Sequence, residues 1–245
     1  MNKTQNKLLA AADKLSEECG ELDFSSPVST VYNPLRYARE GYKKYLELMQ
    51  EGKKELLFVG MNPGPWGMAQ TGVPFGEIEA VKQWMGIQAE IGRPKKIHPK
   101  RPVKGFQCSR REISGKRFWG LMHERYGEVK NFFASCFTAN YCPLLFFQED
   151  GKNQTPDKLN KRDREALFAV CDAHINTIID LLNPHWVVGI GNFASKRIEA
   201  VLDNGRKSPP KHLTILHPSP ASPKANKGWA EAVTNQLAKE GIWTE

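Results

Sequence analysis

The sequence predicts an α/β fold: a three-layer α/β/α sandwich around a central four-stranded parallel sheet, built as a single domain over residues 1–245. Three observations carry that prediction. Four short segments, Glu55–Gly60, Phe132–Ala139, Trp186–Ile190 and Leu213–Leu216, are apolar and rich in β-branched or aromatic residues, as buried strands are. Helical patterns lie between them, and strands alternating with helices imply a parallel sheet covered on both faces. The chain of 245 residues is also long enough to bury one core without staples.

Taken in order, Leu8, Leu9, Ala12, Leu15 and Cys19 recur at helical spacing, so the chain opens with an amphipathic helix. Asn33-Pro34 reads as a cap with proline at the first helical position, and a helix is expected from Leu35 to Gln50, with Gly52 as its stop. The first strand follows. Helices are then expected over about Glu77–Ile87 and Gly115–Arg125, before the second strand, and over Lys161–Leu182, before the third. Phe193–Leu202 joins the third strand to the fourth, and Asn226–Glu240 closes the chain.

Lys and Arg number 35 against 27 Asp and Glu, a formal charge of +8. That balance suits a polyanionic partner such as nucleic acid or an anionic membrane, although charge alone fits an ordinary basic protein equally well. The basic stretch Gly92–Gly115, "GRPKKIHPKRPVKGFQCSRREISG", reads either as a solvated loop or as a phosphate-contacting one. The five cysteines, an odd number, include no C-x-x-C pair, so neither zinc nor an iron–sulfur cluster is suggested, and a reducing compartment is expected. The N-terminal stretch has no long apolar region and no run is long enough to span a bilayer, so a soluble intracellular protein with no membrane partner is expected.

Ligands of open parallel sheets bind outside the carboxyl ends of the strands. Here the first strand runs into "GMNPGPWGMAQTGVPFGE", Gly60 to Glu77. The second runs into Asn140-Tyr141-Cys142-Pro143, and the fourth into His217-Pro218-Ser219-Pro220. Two asparagines and a histidine would thus face one crevice. The third strand ends in "GIGNFA", Gly189 to Ala194, which fits G-x-G-x-x-A but lacks a clear strand-borne acid about 20 residues on. Glycines serving a tight strand-to-helix turn are the favoured reading. The chain has no G-x-S-x-G nucleophile elbow, and "SGKRFW", Ser114 to Trp119, is no phosphate-binding loop. No carboxylate pair sits at a strand end for glycoside hydrolysis.

"GMNPGPWGMAQTGVPFGE", "NYCPL" (Asn140 to Leu144) and "HPSPASPKANKGW" (His217 to Trp229) resemble, in order, the active-site segments of the single-strand-selective monofunctional uracil-DNA glycosylases, within the uracil-DNA glycosylase superfamily. "VYNPLRYA", "HPKRPV" and "SGKRFWG" are similar to that family too, and the likeness runs from Val31 to the C-terminus. The resemblance implies a uracil-DNA glycosylase-like fold. It also implies a monofunctional enzyme that flips uracil and 5-substituted uracils, such as 5-hydroxymethyluracil, out of single- or double-stranded DNA. Hydrolysis of the N-glycosidic bond would leave an abasic site for base excision repair.

Residue by residue, the resemblance makes Asn62 the group that positions water and His217 the donor to the departing uracil O2. Phe75 is implied to stack on the base and Asn140 to read its edge. Gly60 and Met61 are implied to line the substrate slot, and Gly64 and Met68 its pyrimidine C5 side. Pro220, Ala221, Ser222, Pro223, Lys224 and Lys227 fall in a loop that resembles the family's DNA-invading wedge, with Ala221 where relatives often carry arginine. Trp66 stands where many relatives have phenylalanine. No metal and no cofactor is expected, and the protein is expected to be a monomer. Its compartment is expected to be the cytoplasm, at the nucleoid, in a bacterium, or the nucleus in a eukaryote. Two other readings stay open: a broader enzyme that also excises xanthine and hypoxanthine, and a non-catalytic DNA-damage binder.

Overall fold

In the computed structural model, which describes residues 1–203 and 205–243, the N-terminal helix α1 (Lys3–Gly20) forms as its apolar spacing requires. Asn2 caps it, accepting from the Gln5 backbone while the Gln5 side chain bonds back to Asn2, a reciprocal box that satisfies two end groups. After β1 (Thr30–Tyr32), the expected Leu35–Gln50 helix is broken into α2 (Pro34–Tyr37) and α3 (Arg39–Glu47), because Ala38 leaves helical geometry.

The next strand, β2 (Leu56–Gly60), is fully buried. It runs into the short helix α4 (Met68–Thr71) and, after a long excursion, into α5 (Ile113–Tyr126), α6 (Val129–Ser135) and β3 (Cys136–Asn140). Then come β4 (Leu145–Phe147), β5 (Asn153–Gln154), α7 (Lys161–Leu182), β6 (Trp186–Ile190), α8 (Asn192–Leu202), β7 (Lys211–Ile215), α9 (Pro223–Asn226) and α10 (Trp229–Lys239).

The four parallel strands lie in the order β3-β2-β6-β7. Strands β3 and β6 thus flank β2 on opposite sides, and their loops leave from one edge of the sheet. The ladder pairs Leu56 with Cys136 and, at its far end, Gly60 with Asn140. That register brings the first and second strand ends level. Helix α7 packs against both α1 and α8, α8 lies against β6, and α5 and α10 pack on each other with α10 against β7. Fully buried Leu57, Phe58, Val59, Phe137, Val187 and Val188 form the middle of the sandwich, each large side chain contributing about 1.5–3 kcal/mol through burial.

Four further elements depart from their expected bounds, and one sheet is additional. Phe132 and Phe133 belong to α6, so the second strand starts at Cys136; a short aromatic run has no period that separates a buried helix from a strand. The helix expected at 77–87 is reduced to a π-helical turn over Ala80–Trp84, whose Ala80 N–H is capped by the Glu77 carboxylate at 2.9 Å. The fourth strand runs Lys211–Ile215, and the last helix starts at Trp229. The sheet β1-β4-β5 is antiparallel and was not foreseen, because its strands of two and three residues are too short to show alternation.

All five cysteines are buried and free. Among the described residues no helix is long and apolar enough to cross a membrane.

Candidate active site

At the carboxyl ends of β2, β3 and β7 the loops enclose a cleft of about 450 Å³, lined by Met61, Asn62, Gly64, Phe75, Asn140 and His217 among others. Backbone bonds continue the sheet past its strands here: Tyr141 N–H donates to Gly60 O at 2.8 Å and Cys142 N–H to Met61 O at 2.9 Å. Asn140 therefore ends a paired strand, and Asn62 stands in the bend just past β2, one residue beyond the last of these bonds. A larger cavity of about 780 Å³ beside Trp84 and His123 holds none of the three strand-end residues.

Asn62 is oriented from behind. Its Nδ2 donates to the Leu144 carbonyl at 3.0 Å. The Oδ1 is left without a protein partner among the described residues, in a side chain that lines the cleft. An amide fixed this way presents an acceptor, able to take one hydrogen of a water but too weakly basic to remove it.

Asn140 is buried, and its Nδ2 lies 3.2 Å from Met68 Sδ, a soft and weak acceptor. Gly60 is required beside it. A Cβ at Gly60 would lie 2.6 Å from the Phe75 ring and 2.8 Å from Asn140 Oδ1, so any side chain there would displace both. Phe75 adopts φ +53°, a left-handed conformation that is strained for a bulky residue. Its neighbours impose it: Glu77 N–H bonds Phe75 O at 2.7 Å, and Trp119 Nε1 bonds Pro74 O at 3.1 Å. The Phe118 ring stacks on Phe75 at 5.0 Å, backing an aromatic surface at the cleft.

His217 follows β7. Its Nδ1 accepts from the Ser219 N–H at 3.1 Å, which leaves Nε2 to carry the proton of the neutral ring. Burial holds its pKa below the ordinary value. Gly191 makes the space: at φ +85°, a Cβ there would lie 2.9 Å from His217 Cβ and 3.2 Å from Cδ2. The "GIGNFA" glycines thus serve packing and the tight turn. Gly189 does the same for α8, whose Ser195 Cα would stand 2.7 Å from a Cβ.

The loop after His217 is exposed at Pro220, Ala221, Pro223, Lys224 and Lys227, and half-buried at Ser222. Arg117 of α5 pins it, donating to Pro218 O at 3.0 Å and to Asn226 Oδ1 at 2.9 Å, while Asn226 Nδ2 bonds Pro220 O at 2.8 Å. In the basic stretch, His98 is buried against Glu149 O, but Lys95, Lys96, Lys100 and Arg110 are exposed. Arg110 and Arg101 lie over Trp66, their guanidinium carbons 4.8 and 5.6 Å from its ring centre. Part of the stretch is therefore structural and part is cationic surface near the cleft.

Sequence reasoning missed Arg117, Gly191 and Glu112, the last a carboxylate that lines the cleft. Arg117 lies in "SGKRFWG" and Glu112 just ahead of it, but nothing in that local pattern shows what either residue touches. Among the described residues no group of three His, Cys, Asp or Glu side chains could hold a metal ion.

Residues 47–239 match the uracil DNA glycosylase superfamily. The single-strand selective monofunctional uracil-DNA glycosylase of Rattus norvegicus is 44% identical over 229 residues, 94% of this chain and 82% of that protein. Its Bos taurus counterpart is 44% identical over 230 residues, 94% of this chain and 84% of that protein. The crystal structure of wild-type Pedobacter heparinus SMUG2 superimposes with a TM-score of 0.67 at 15% identity, covering 94% of this chain and 97% of that one, which bears on the fold.

Proposed function

The chain belongs to the uracil-DNA glycosylase superfamily, in the single-strand-selective monofunctional family, and from that premise we propose that the cleft at Asn62, Phe75, Asn140 and His217 is where uracil and 5-substituted uracils are excised from single- and double-stranded DNA. The protein is a uracil-DNA glycosylase, a hydrolase of N-glycosyl bonds. The observation that carries the site is the opposed fixing of two side chains: Asn62 turns its acceptor Oδ1 to the cleft, and neutral His217 keeps its donor Nε2–H free.

A base inside a duplex hides its glycosidic bond, so it must leave the stack first. In the cleft its face would lie on Phe75. The Asn140 amide would accept from N3–H and donate to O4, which replaces the weak bond to Met68 with a stronger one. Cytosine offers the opposite pattern, and a buried polar group left unpaired costs about 1–3 kcal/mol.

As the N1–C1′ bond breaks, its electron pair moves into the uracil ring and builds charge on O2. The His217 Nε2–H donates to that oxygen and stabilises charge that exists only late in the reaction. Water bonds to C1′ through its oxygen while one of its hydrogens rests on Asn62 Oδ1. Once the new C–O bond has formed, its proton passes to solvent, and the released uracil anion takes one up from solvent. Because the sugar is already cation-like, placing the water matters more than deprotonating it, which is why an amide suffices. The residues lining the cleft include no lysine to form a Schiff base, consistent with an abasic product and an uncut strand. The product would then enter base excision repair.

The test is a gel assay on fluorescent oligonucleotides with one uracil, single-stranded or paired with G or A, in EDTA. Strand breaks that appear only after alkali are expected, with Asn62→Ala and His217→Ala each slower by about 10²–10³-fold. Uracil release that survives both substitutions would move the chemistry away from this cleft.

A further inference from the structure

Glu112 is a carboxylate the chemistry above does not use. It caps α5, accepting from Ser114 N–H at 3.2 Å and Gly115 N–H at 3.1 Å. A cap needs no more than a short side chain. Glu112 is longer and reaches into the cleft, which it lines. It fills the space that residues 64 and 67 leave by being glycine: a Cβ at Gly64 would lie 3.2 Å from Glu112 Cδ, and one at Gly67 would lie 3.1 Å from Oε2.

A uracil with O2 at His217 and its N3 and O4 at Asn140 turns C5 to the side beyond O4. There the Asn140 amide ends against Met68 Sδ at 3.2 Å, so the 64–68 segment closes that side. Its glycines are backed by Glu112. We infer that Glu112 is a specificity-determining residue whose carboxyl meets the substituent on C5, favouring groups that donate a hydrogen bond and opposing anionic ones. The inference rests on the base orientation of the proposed function.

The charge state follows from the surroundings. Burial pushes the Glu112 pKa up to about 7 against the two backbone bonds, and the nearby Glu77 carboxylate adds to the rise. Glu77 is itself buried and bonded to Ala80 N–H. Across the cleft stands His217, on the chain after β7. The adjacent Arg111 is engaged with Glu79 at 3.4 Å, Lys116 is exposed, and residues 64–67 carry no titratable group. Above about pH 7 the substituent therefore meets a pure acceptor, and below it a neutral acid.

The experiment measures kcat/KM on single-stranded oligonucleotides carrying uracil, 5-hydroxymethyluracil or 5-carboxyuracil, from pH 5.5 to 8.5. Each value is divided by that for uracil with the same enzyme at the same pH. The hydroxymethyl ratio is expected to rise by about 3–10-fold through pH 7, as its hydroxyl gains an ionised acceptor. The carboxyl ratio is expected to fall by about tenfold or more, because like charges repel in a desolvated site. Both ratios should be flat in Glu112→Gln, and the carboxyl ratio at pH 8 should be higher there than in the wild type. Flat wild-type ratios overturn the inference, as does a Gln variant that keeps the slopes. If that variant fails to fold, the wild-type slopes decide. Failure to release uracil at all would overturn the functional reading instead.

Discussion

The Asn62 side-chain nitrogen donates to the Leu144 carbonyl across 3.0 Å, and this bond decides which end of the amide meets the cleft. Asn62→Asp would set a carboxylate oxygen against that carbonyl. Two acceptors repel, so the aspartate would either turn away or keep a proton. We expect kcat/KM for uracil in single-stranded DNA to fall by about 10–100-fold at pH 7.5, although aspartate is the better base. The ratio of variant to wild type should recover as pH falls, because a protonated carboxyl can again donate to Leu144 O. A variant as fast as the wild type at pH 7.5 would show that the orientation of this amide is immaterial.

Gly191 holds His217 by lacking a side chain. In Gly191→Ala the methyl group would meet His217 Cβ at 2.9 Å, on a backbone at φ +85°. The ring must shift, and its donor would leave the position proposed for uracil O2. Single-turnover rates should drop by about 10²-fold while binding of uracil DNA changes little. In the wild type, the rate on uracil should be level above pH 6.5 and decline below it. Burial depresses the His217 pKa, so the neutral ring persists to lower pH; protonation then removes the acceptor of Ser219 N–H. An acid limb centred above pH 6.5 would contradict this placement.

The four strands and the three ends that carry Asn62, Asn140 and His217 were legible because buried strands are apolar runs and their ends are abruptly polar. What the sequence hid are contacts between distant elements. Gly191 and His217 stand on neighbouring strand ends, and Glu112 reaches Gly64 and Gly67 across an excursion of the chain. Neither relation leaves a local pattern. Phe75 was legible only through resemblance, since its strained φ depends on Trp119 and Gly115 of α5: a Cβ at Gly115 would lie 2.0 Å from Phe75 O. The reading of "GIGNFA" as a tight turn agrees with the structure, because both of its glycines are needed for close packing.

His174 on α7 is buried and bonded to the Ala11 backbone of α1, and burial lowers its pKa to about 4. The unfolded chain binds this proton near pH 6.5, before the folded one does. Stability from this group is therefore complete above pH 6.5 and is lost as pH falls toward 4. The loss is on the order of 3 kcal/mol. Thermal melts at pH 7 and pH 4.5 should show a smaller drop for His174→Gln than for the wild type. Equal drops would place the acid sensitivity elsewhere.

Ala221 tests the wedge. It lies exposed, with its N–H on Ser219 Oγ at 3.1 Å, in a loop that Arg117 and Asn226 fix at Pro218 and Pro220. A side chain placed there would start from an ordered backbone. Ala221 itself offers neither the length to fill a base gap nor a charge for a phosphate. Ala221→Arg should therefore raise kcat/KM on duplex uracil by about tenfold relative to single strands, and steepen the salt dependence of duplex binding by about one phosphate contact. Adding Arg117→Ala should remove much of that gain, because the loop would lose its anchor. An unchanged ratio of duplex to single-strand activity in Ala221→Arg would mean that this loop does not enter the duplex, and that strand preference is set elsewhere, with Trp66 and its two arginines the next segment to test.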